Sequence, residues 1–436
     1  MEIQFKKIIS RIKPMHAVNN VPLRSATDDL FHYVGEAEIP FSRLHDTGGP
    51  YGGGRFVDIA NIFRNPDADE NDPASYDFAF TDWLLNAIDK QNTKVFYRLG
   101  ATIENEQNIK SYNIYPPKDN AKWARICEKI IAHYNEGWAN GYRLGIEYWE
   151  IWNEPDNYPD IEDNCMWKGT FEQYMDLYKV TAPYLKEKFP YIKIGGYASC
   201  GFYSIFKNSF VKEANSSPRK EYFIECFHKF MEFVQENKLP LDFFSWHSYS
   251  DVEKNVAYEN YVHTNLQKYG LLNTESILNE WNPSISKRGT LEDSCNVVEM
   301  MLRMQNTTVD MLMYYDGQVY GQYQGMYNPI TLEPFKTYYV FKAFSKLYSL
   351  KNQAEVLNAP EGISCVAAAS EDKKAVLMTN KNSDKKVVQI SADSDCMLNV
   401  YRLNSDLNLE YTEKLSQDGC IEIGQFETVL LLSDIL

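Results

Sequence analysis

The chain has 436 residues, 44% of them hydrophobic, which is enough for one large α/β barrel with a small second domain and excludes disorder. Its 44 basic and 60 acidic residues give a formal charge of −16. That balance argues against a nucleic-acid or anionic-membrane partner and leaves neutral or cationic small molecules open.

The N-terminal "MEIQFKKIISRIKPMHAV" lacks an uninterrupted apolar stretch and a small-residue cleavage site, so a cytoplasmic protein is expected. No run approaches the roughly 18 apolar residues of a membrane span. Short apolar runs ending in polar residues then recur along the first 320 residues. They are "MHAVNN" (15–20), "FSRLHD" (41–46), "VFYRLG" (95–100), "YWEIWNE" (148–154), "IKIGGYA" (192–198), "DFFSWHSY" (242–249), "SILNEWN" (276–282) and "MLMYYDG" (311–317). Between them lie helix-like stretches such as 119–138, where Trp123, Ile126, Ile130 and Tyr134 keep helical spacing, and 170–189. Eight strands alternating with helices imply a closed (β/α)8 TIM barrel over 14–350, with 335–350 as its last helix.

Two loops invite other readings. The glycine-rich "TGGPYGGGR" (47–55) has no following GK[ST] and reads as a rim loop, with Arg55 free to meet a ligand. The acidic "NPDADENDP" (65–73) lacks the glycine and the twelfth-position carboxylate of a calcium loop, so it reads as a solvated turn.

After residue 350 the texture changes to short β-rich runs, "CVAAAS", "KAVLMTN", "VVQIS", "MLNVYRL" and "ETVLLLS", separated by polar turns. Residues 351–436 are therefore expected to form a small C-terminal antiparallel β-sandwich, with 1–13 free to pack beside it. The eight cysteines form no CxxC pair and show no zinc-ligand spacing, so reduced, mostly buried thiols are expected and no metal or cofactor.

In a barrel the chemistry gathers at the C-terminal strand ends. The polar residues there are Asn19, Asn20, Arg43, His45, Asp46, Arg98, Asn153, Glu154, His247, Tyr249, Glu280, Asn282 and Asp316. Strand ends meet water, so a single polar residue means little. Glu154 and Glu280 are more telling as a pair: each ends an apolar run and each follows an asparagine. Burying a carboxylate without a partner is costly, and Pro155 ends the first strand, so Glu154 is delivered to the rim. Two carboxylates facing each other across a barrel mouth are what glycosidic cleavage requires, one to protonate the leaving oxygen and one to attack or to activate water. Side-chain alternation predicts that Trp152 and Glu150 point inward with Glu154, and Leu278 with Glu280. Glu150 then needs a cation, and Arg43 or Arg98 is available. Of the many rim aromatics, Trp281, next to Glu280, is the best candidate for a sugar platform.

"WEIWNEP" resembles the acid/base strand of clan A glycoside hydrolases. "HAVNN…P" (16–22), "RLHD" (43–46) and the stretch 73–100 resemble glycoside hydrolase family 39, which includes β-xylosidases and α-L-iduronidases. The resemblance implies Glu154 as general acid/base and Glu280 as nucleophile of a retaining exo-glycosidase, β-xylosidase-like first. It also implies Asn153 at the sugar 2-hydroxyl, Arg43 and Tyr249 on the nucleophile, and His45 and His247 lining the sugar subsite; Asp46 and Asn282 complete the substrate-binding set. Glu154 is expected to have a raised pKa, from burial against Trp152 and from the charge of Glu280. The loops "TGGPYGGGR" and "GATIENEQN" depart from the family pattern. Other specificities on the same carboxylates (arabinosidase, galactosidase, uronidase), or a non-catalytic carbohydrate-binding barrel, therefore stay open.

Overall fold

All eight apolar runs become strands of one closed barrel in the computed structural model, which describes residues 1–23, 30–47, 57–104, 113–206, 217–393 and 397–436. An N-terminal strand, β1 (Glu2–Arg11), precedes it. The barrel strands are β2 (Ala17–Asn19), β3 (Phe41–Leu44), β4 (Lys94–Leu99), β5 (Tyr148–Ile151), β6 (Lys193–Ser199), β7 (Phe243–Ser248), β8 (Glu275–Trp281) and β9 (Met311–Tyr314). Each pairs in parallel with the next, and β9 returns to β2 through Ala17 opposite Met313.

Alternation along these strands builds the site from below. Ala17, Phe41, Phe96, Tyr148, Phe243, Ile277, Met311 and Met313 pack together as an apolar floor inside the barrel. Two residues further along their strands come Asn19, Arg43, Arg98, Glu150 and Asn279, so a buried polar layer sits directly on that floor. Gly195 leaves room for this floor. A Cβ there would fall 2.2 Å from the Phe243 carbonyl oxygen and 2.6 Å from its ring. Gly195→Ala is expected to cost about 1–3 kcal/mol through overpacking. The check is a lower urea midpoint with an unchanged m-value; a midpoint equal to that of the parent would contradict this packing.

The helices that cover the barrel are α1 (Phe31–Glu36), α2 (Ile59–Ile62), α3 (Ala79–Asp89), α4 (Asn120–Asn135), α5 (Phe171–Lys188), α6 (Pro218–Asn237), α7 (Val252–Lys268), α8 (Leu291–Gln305) and α9 (Lys336–Leu350). Their starts follow capping chemistry. Asp119, Ser217, Asp251 and Thr290 each accept a hydrogen bond from a first-turn amide, and Thr170 with Gln173 forms a capping box. The acidic turn at 65–73 is exposed; Asp72 caps a short 3-10 turn and Glu70 pairs with Arg125.

The second unit holds β10 (Asn352–Leu357), β11 (Ile363–Ala369), β12 (Lys374–Asn380), β13 (Lys386–Gln389), β14 (Ser391–Ala392), β15 (Leu398–Leu403), β16 (Asn408–Leu415), β17 (Cys420–Ile423) and β18 (Thr428–Leu432). Eight strands in the order β14-β1-β10-β11-β12-β18-β15-β16 form a mostly antiparallel sheet, and β13-β17 pack against it over a separate apolar core. β1, β10, β16 and β17 are strands the apolar pattern had not marked. β16 shows why: its residues are mostly exposed, so it carries no run of apolar side chains. Strands β11 and β12 dock on α8, where Thr379 Oγ1 donates to Cys295 Sγ and Lys381 pairs with Glu299 at 2.6 Å. Seven cysteines are free thiols among the described residues; Cys396 lies outside them. No helix among the described residues is long and apolar enough to cross a membrane.

Candidate active site

Strict alternation fails at both predicted carboxylates, for two different reasons. Strand β5 ends at Ile151, after which Trp152 takes φ 71° and Glu154 φ 46°. The turn throws Trp152 outward, against Trp167 at 4.8 Å and Trp123 at 6.3 Å, where its indole N–H donates to the Met166 carbonyl. Trp152 therefore does not line the site beside Glu154. The Glu154 amide bonds to the Tyr197 and Ala198 carbonyls, which holds an otherwise costly left-handed residue in place.

On β8 the cause is a bulge. Trp246 pairs with Leu278 but His247 pairs with Glu280, leaving Asn279 as the extra residue. The bulge re-aims the strand, so Asn279 and Glu280 both serve the interior while Leu278 joins the outer core. Trp281 faces outward as well. It is fully buried against Tyr314 at 5.3 Å, which in turn packs on Phe341 of α9. The expected sugar platform is a core residue. Asn282 is likewise withdrawn: its side-chain amide donates to the Tyr314 hydroxyl and to the Tyr315 and Tyr323 carbonyls, which positions that rim segment.

Beneath the mouth, Arg43 is fully buried and bridges two carboxylates, Glu150 at 2.7 Å and Glu280 at 2.9 Å. Its remaining donors reach Asn19 Oδ1 at 3.0 Å and Asn153 Oδ1. Burial pulls its pKa down, but the two carboxylates outweigh it and raise it, so it stays charged. Glu150 also accepts from Asn279 Nδ2 at 2.6 Å. Arg98 instead pairs with Asp58 at 2.7 Å. The second oxygen of Glu280 accepts from the Tyr249 hydroxyl at 2.7 Å, so both oxygens are oriented by donors.

Glu154 is held differently. Its Oε1 meets His247 Nδ1 at 2.8 Å and its Oε2 accepts from Asn157 Nδ2 at 2.7 Å. Burial pushes its pKa up, but the imidazole bond and the imidazolium charge reverse that and leave it below the usual carboxylate value. His247 shifts the opposite way: burial lowers it, while Glu280 and Glu154 raise it overall. The expectation of a raised Glu154 is thus overturned, because its closest charged neighbour is His247 rather than Glu280. The two residues share protons as a dyad. Asp46 is pushed up to about 6 by burial and by the charge of Glu280.

A cavity of ≈ 480 Å³ opens over these groups. His45, Asp46, Asn153, Glu154, Tyr249 and Glu280 line it, whereas Arg43 and His247 lie just below. Asn153 Nδ2 has no partner among the described residues. Tyr158, Tyr203, Tyr315 and Tyr323 line it beside Tyr249. Asn157 had a visible signal, three residues after Glu154 in "NEPDN", whereas Arg219 and Lys220 at the start of α6 had none. Arg55 and most of the glycine-rich loop lie outside the described residues, as do residues 105–108 of "GATIENEQN".

Glu154, His247 and Glu280 each offer a ligand atom within 4.8 Å of the others. The Arg43 cation and the Tyr249 hydroxyl already occupy Glu280, so this donor set suits a shared-proton network better than a divalent cation. The same geometry places an oxygen of Glu154 within 4.8 Å of an oxygen of Glu280.

Residues 51–316, more than half of the chain, match the family model described as glycosyl hydrolases family 39. The chain is 28% identical over 211 residues to a beta-xylosidase of Geobacillus stearothermophilus, a match covering 46% of this chain and 36% of that protein. It is 22% identical over 361 residues to a beta-xylosidase of Caldicellulosiruptor saccharolyticus, covering 74% of this chain and 67% of the other. Among solved structures, a glucosidase from Croceicoccus marinus superposes with a TM-score of 0.77 at 16% identity, covering 100% of this chain and 98% of that one. A family 39 beta-xylosidase from Caulobacter crescentus superposes at 0.70 and 14% identity, with 99% and 98% covered. At these identities the structural likeness is one of fold.

Proposed function

Because the chain belongs to glycosyl hydrolases family 39, we propose that it is a retaining exo-glycosidase, β-xylosidase-like, with Glu280 as nucleophile and Glu154 as general acid/base. The observation that carries the reading is the approach of the two carboxylates to within 4.8 Å at their nearest described oxygens. Retaining enzymes need carboxyl groups roughly 5–5.5 Å apart, whereas inverting ones leave about 6.5–9.5 Å for a water molecule.

In the first step Glu280 attacks the anomeric carbon while a proton passes from Glu154 to the departing oxygen, giving a glycosyl ester. In the second, Glu154 takes a proton from water, which attacks the same carbon and releases Glu280. Arg43 and Tyr249 aim the nucleophile, and the Asn153 amide, unpartnered among the described residues, suits a sugar hydroxyl. The proton for the first step is held by the His247–Glu154 dyad across 2.8 Å.

This gives the pH dependence its sign. Activity needs the dyad protonated, so kcat/KM falls as pH rises through the dyad's apparent pKa, which His247 carries above its ordinary value. In His247→Gln the limb belongs to Glu154 alone, raised by burial and no longer lowered by the imidazolium, and its position changes. A basic limb that stays in place contradicts the dyad. A non-catalytic sugar-binding barrel shows no rate at any pH.

Xylose comes first from the relatives, and arabinose, galactose or a uronate remain rivals on the same carboxylates. A uronidase needs a cation at the sugar carboxylate. Of the candidates Arg55, Arg98, Lys287 and Arg288, the first lies outside the described residues; Arg98 is committed to Asp58, Lys287 to Glu292, and Arg288 to the carbonyls of Gln322 and Gln324, which among the described residues favours a neutral sugar. The test is a panel of aryl glycosides of both anomers. Release of xylose above the other sugars supports the reading, and preferred release of a glucuronide overturns it.

A further inference from the structure

The cavity is electrically lopsided. On the Glu280 side its wall carries Asp46, Tyr249, Tyr315 and Tyr323. On the Glu154 side it runs over Asn157, Tyr158 and Tyr203 to Arg219 and Lys220. The acid/base side of such a site is where the leaving group departs, so these two cations face the aglycone.

Arg219 is tied to the acid's own partner. Its Nε donates to the Asn157 carbonyl at 2.7 Å and its Nη2 approaches Asn157 Oδ1 at 3.3 Å, while Asn157 bonds Glu154. The guanidinium lies 3.9 Å over the Tyr158 ring, which fixes its plane. Lys220 Nζ sits 5.6 Å from the Tyr203 ring centroid. Among the described residues neither cation has a carboxylate within 4.0 Å. In a chain of charge −16 this is unusual, since the cations deeper in the mouth, Arg43 and Arg98, are both paired. Both line the same cavity wall, so an anion there meets two cations that no carboxylate among the described residues neutralises. Tyr158, Tyr203 and Phe223 add flat apolar surface beside them.

We propose that the leaving-group half of the cavity is a subsite for an aglycone bearing a carboxylate, such as an acidic sugar residue, with Arg219 and Lys220 as its specificity-determining residues. This rests on the glycosidase reading above and names the substrate class that reading leaves open. The glycon is neutral and the aglycone anionic.

The test uses two aryl xylosides with similar leaving ability, 4-(carboxymethyl)phenyl and 4-(carbamoylmethyl)phenyl β-xyloside, with wild type, Lys220→Met, Lys220→Glu and Arg219→Met. Wild type should favour the acid by about 5–10-fold in kcat/KM, and the ratio should shrink at high salt. The ratio should fall towards one in either methionine variant and invert in Lys220→Glu. A wild-type ratio of one, or a ratio unchanged in all variants, overturns the proposal. If neither xyloside is hydrolysed, the xylosidase reading fails, and the subsite is read instead by calorimetric titration of the same two compounds. Tighter binding of the acid, lost in Lys220→Glu, then supports the subsite, and equal affinities overturn it.

Discussion

Glu280→Ala is expected to lower turnover of every glycoside that the wild-type protein cleaves by on the order of 10³-fold or more. The reason is positional. Glu280 is the cavity-lining carboxylate whose oxygens are aimed by a buried guanidinium and a half-buried phenol, and no neighbouring carboxylate can replace it. Glu150 is sealed beneath Arg43, and Asp46 is drawn toward neutrality. The fold should survive, because Arg43 keeps its 2.7 Å pair with Glu150; a circular dichroism spectrum like that of the parent checks this. The vacated space also predicts chemical rescue. Added azide should restore turnover of an aryl glycoside and yield a glycosyl azide of inverted configuration. A variant that keeps a tenth of the activity would remove Glu280 from the role of nucleophile.

Glu154→Gln should show a loss that depends on the leaving group. Glycosides with poor leaving groups need a proton and should slow by about 10²–10⁴-fold, whereas strongly activated aryl glycosides should form the glycosyl-enzyme at rates closer to those of wild type. The glutamine keeps the shape of the side chain and still accepts from Asn157, so the change reports the proton rather than packing. The basic limb of the pH profile should vanish as well. An equal loss for good and poor leaving groups would assign Glu154 to binding rather than to acid catalysis.

Much of this arrangement was legible in the chain itself, because the features that reveal it are local. All eight barrel strands could be marked since a buried parallel strand is an uninterrupted apolar run, and the two glutamates stood out because each interrupts such a run at its end. The aim of each side chain was not legible. A bulge at Asn279 and a left-handed turn at Trp152 and Glu154 cancel the two-residue period on which the inward-facing lists relied. That is why alternation places Leu278 and Trp152 inside although they belong outside, whereas Trp281, chosen for its place beside Glu280, points away from it as a strand neighbour does. The His247–Glu154 bond was hidden for a related reason, since the partners are 93 residues apart and meet only when the barrel closes. Arg219 and Lys220 carry no signal at all, because two basic residues in the first turn of a helix look like any solvated face.

The central claim is that two carboxylates cleave a glycosidic bond by double displacement. Its most direct measurement is the proton NMR spectrum of the first-formed sugar during wild-type hydrolysis of an activated aryl glycoside, recorded before mutarotation. Double displacement predicts that the anomeric signal appearing first has the configuration of the substrate. Initial appearance of the opposite anomer would contradict it and require a water molecule between Glu154 and Glu280 in place of a bond to Glu280.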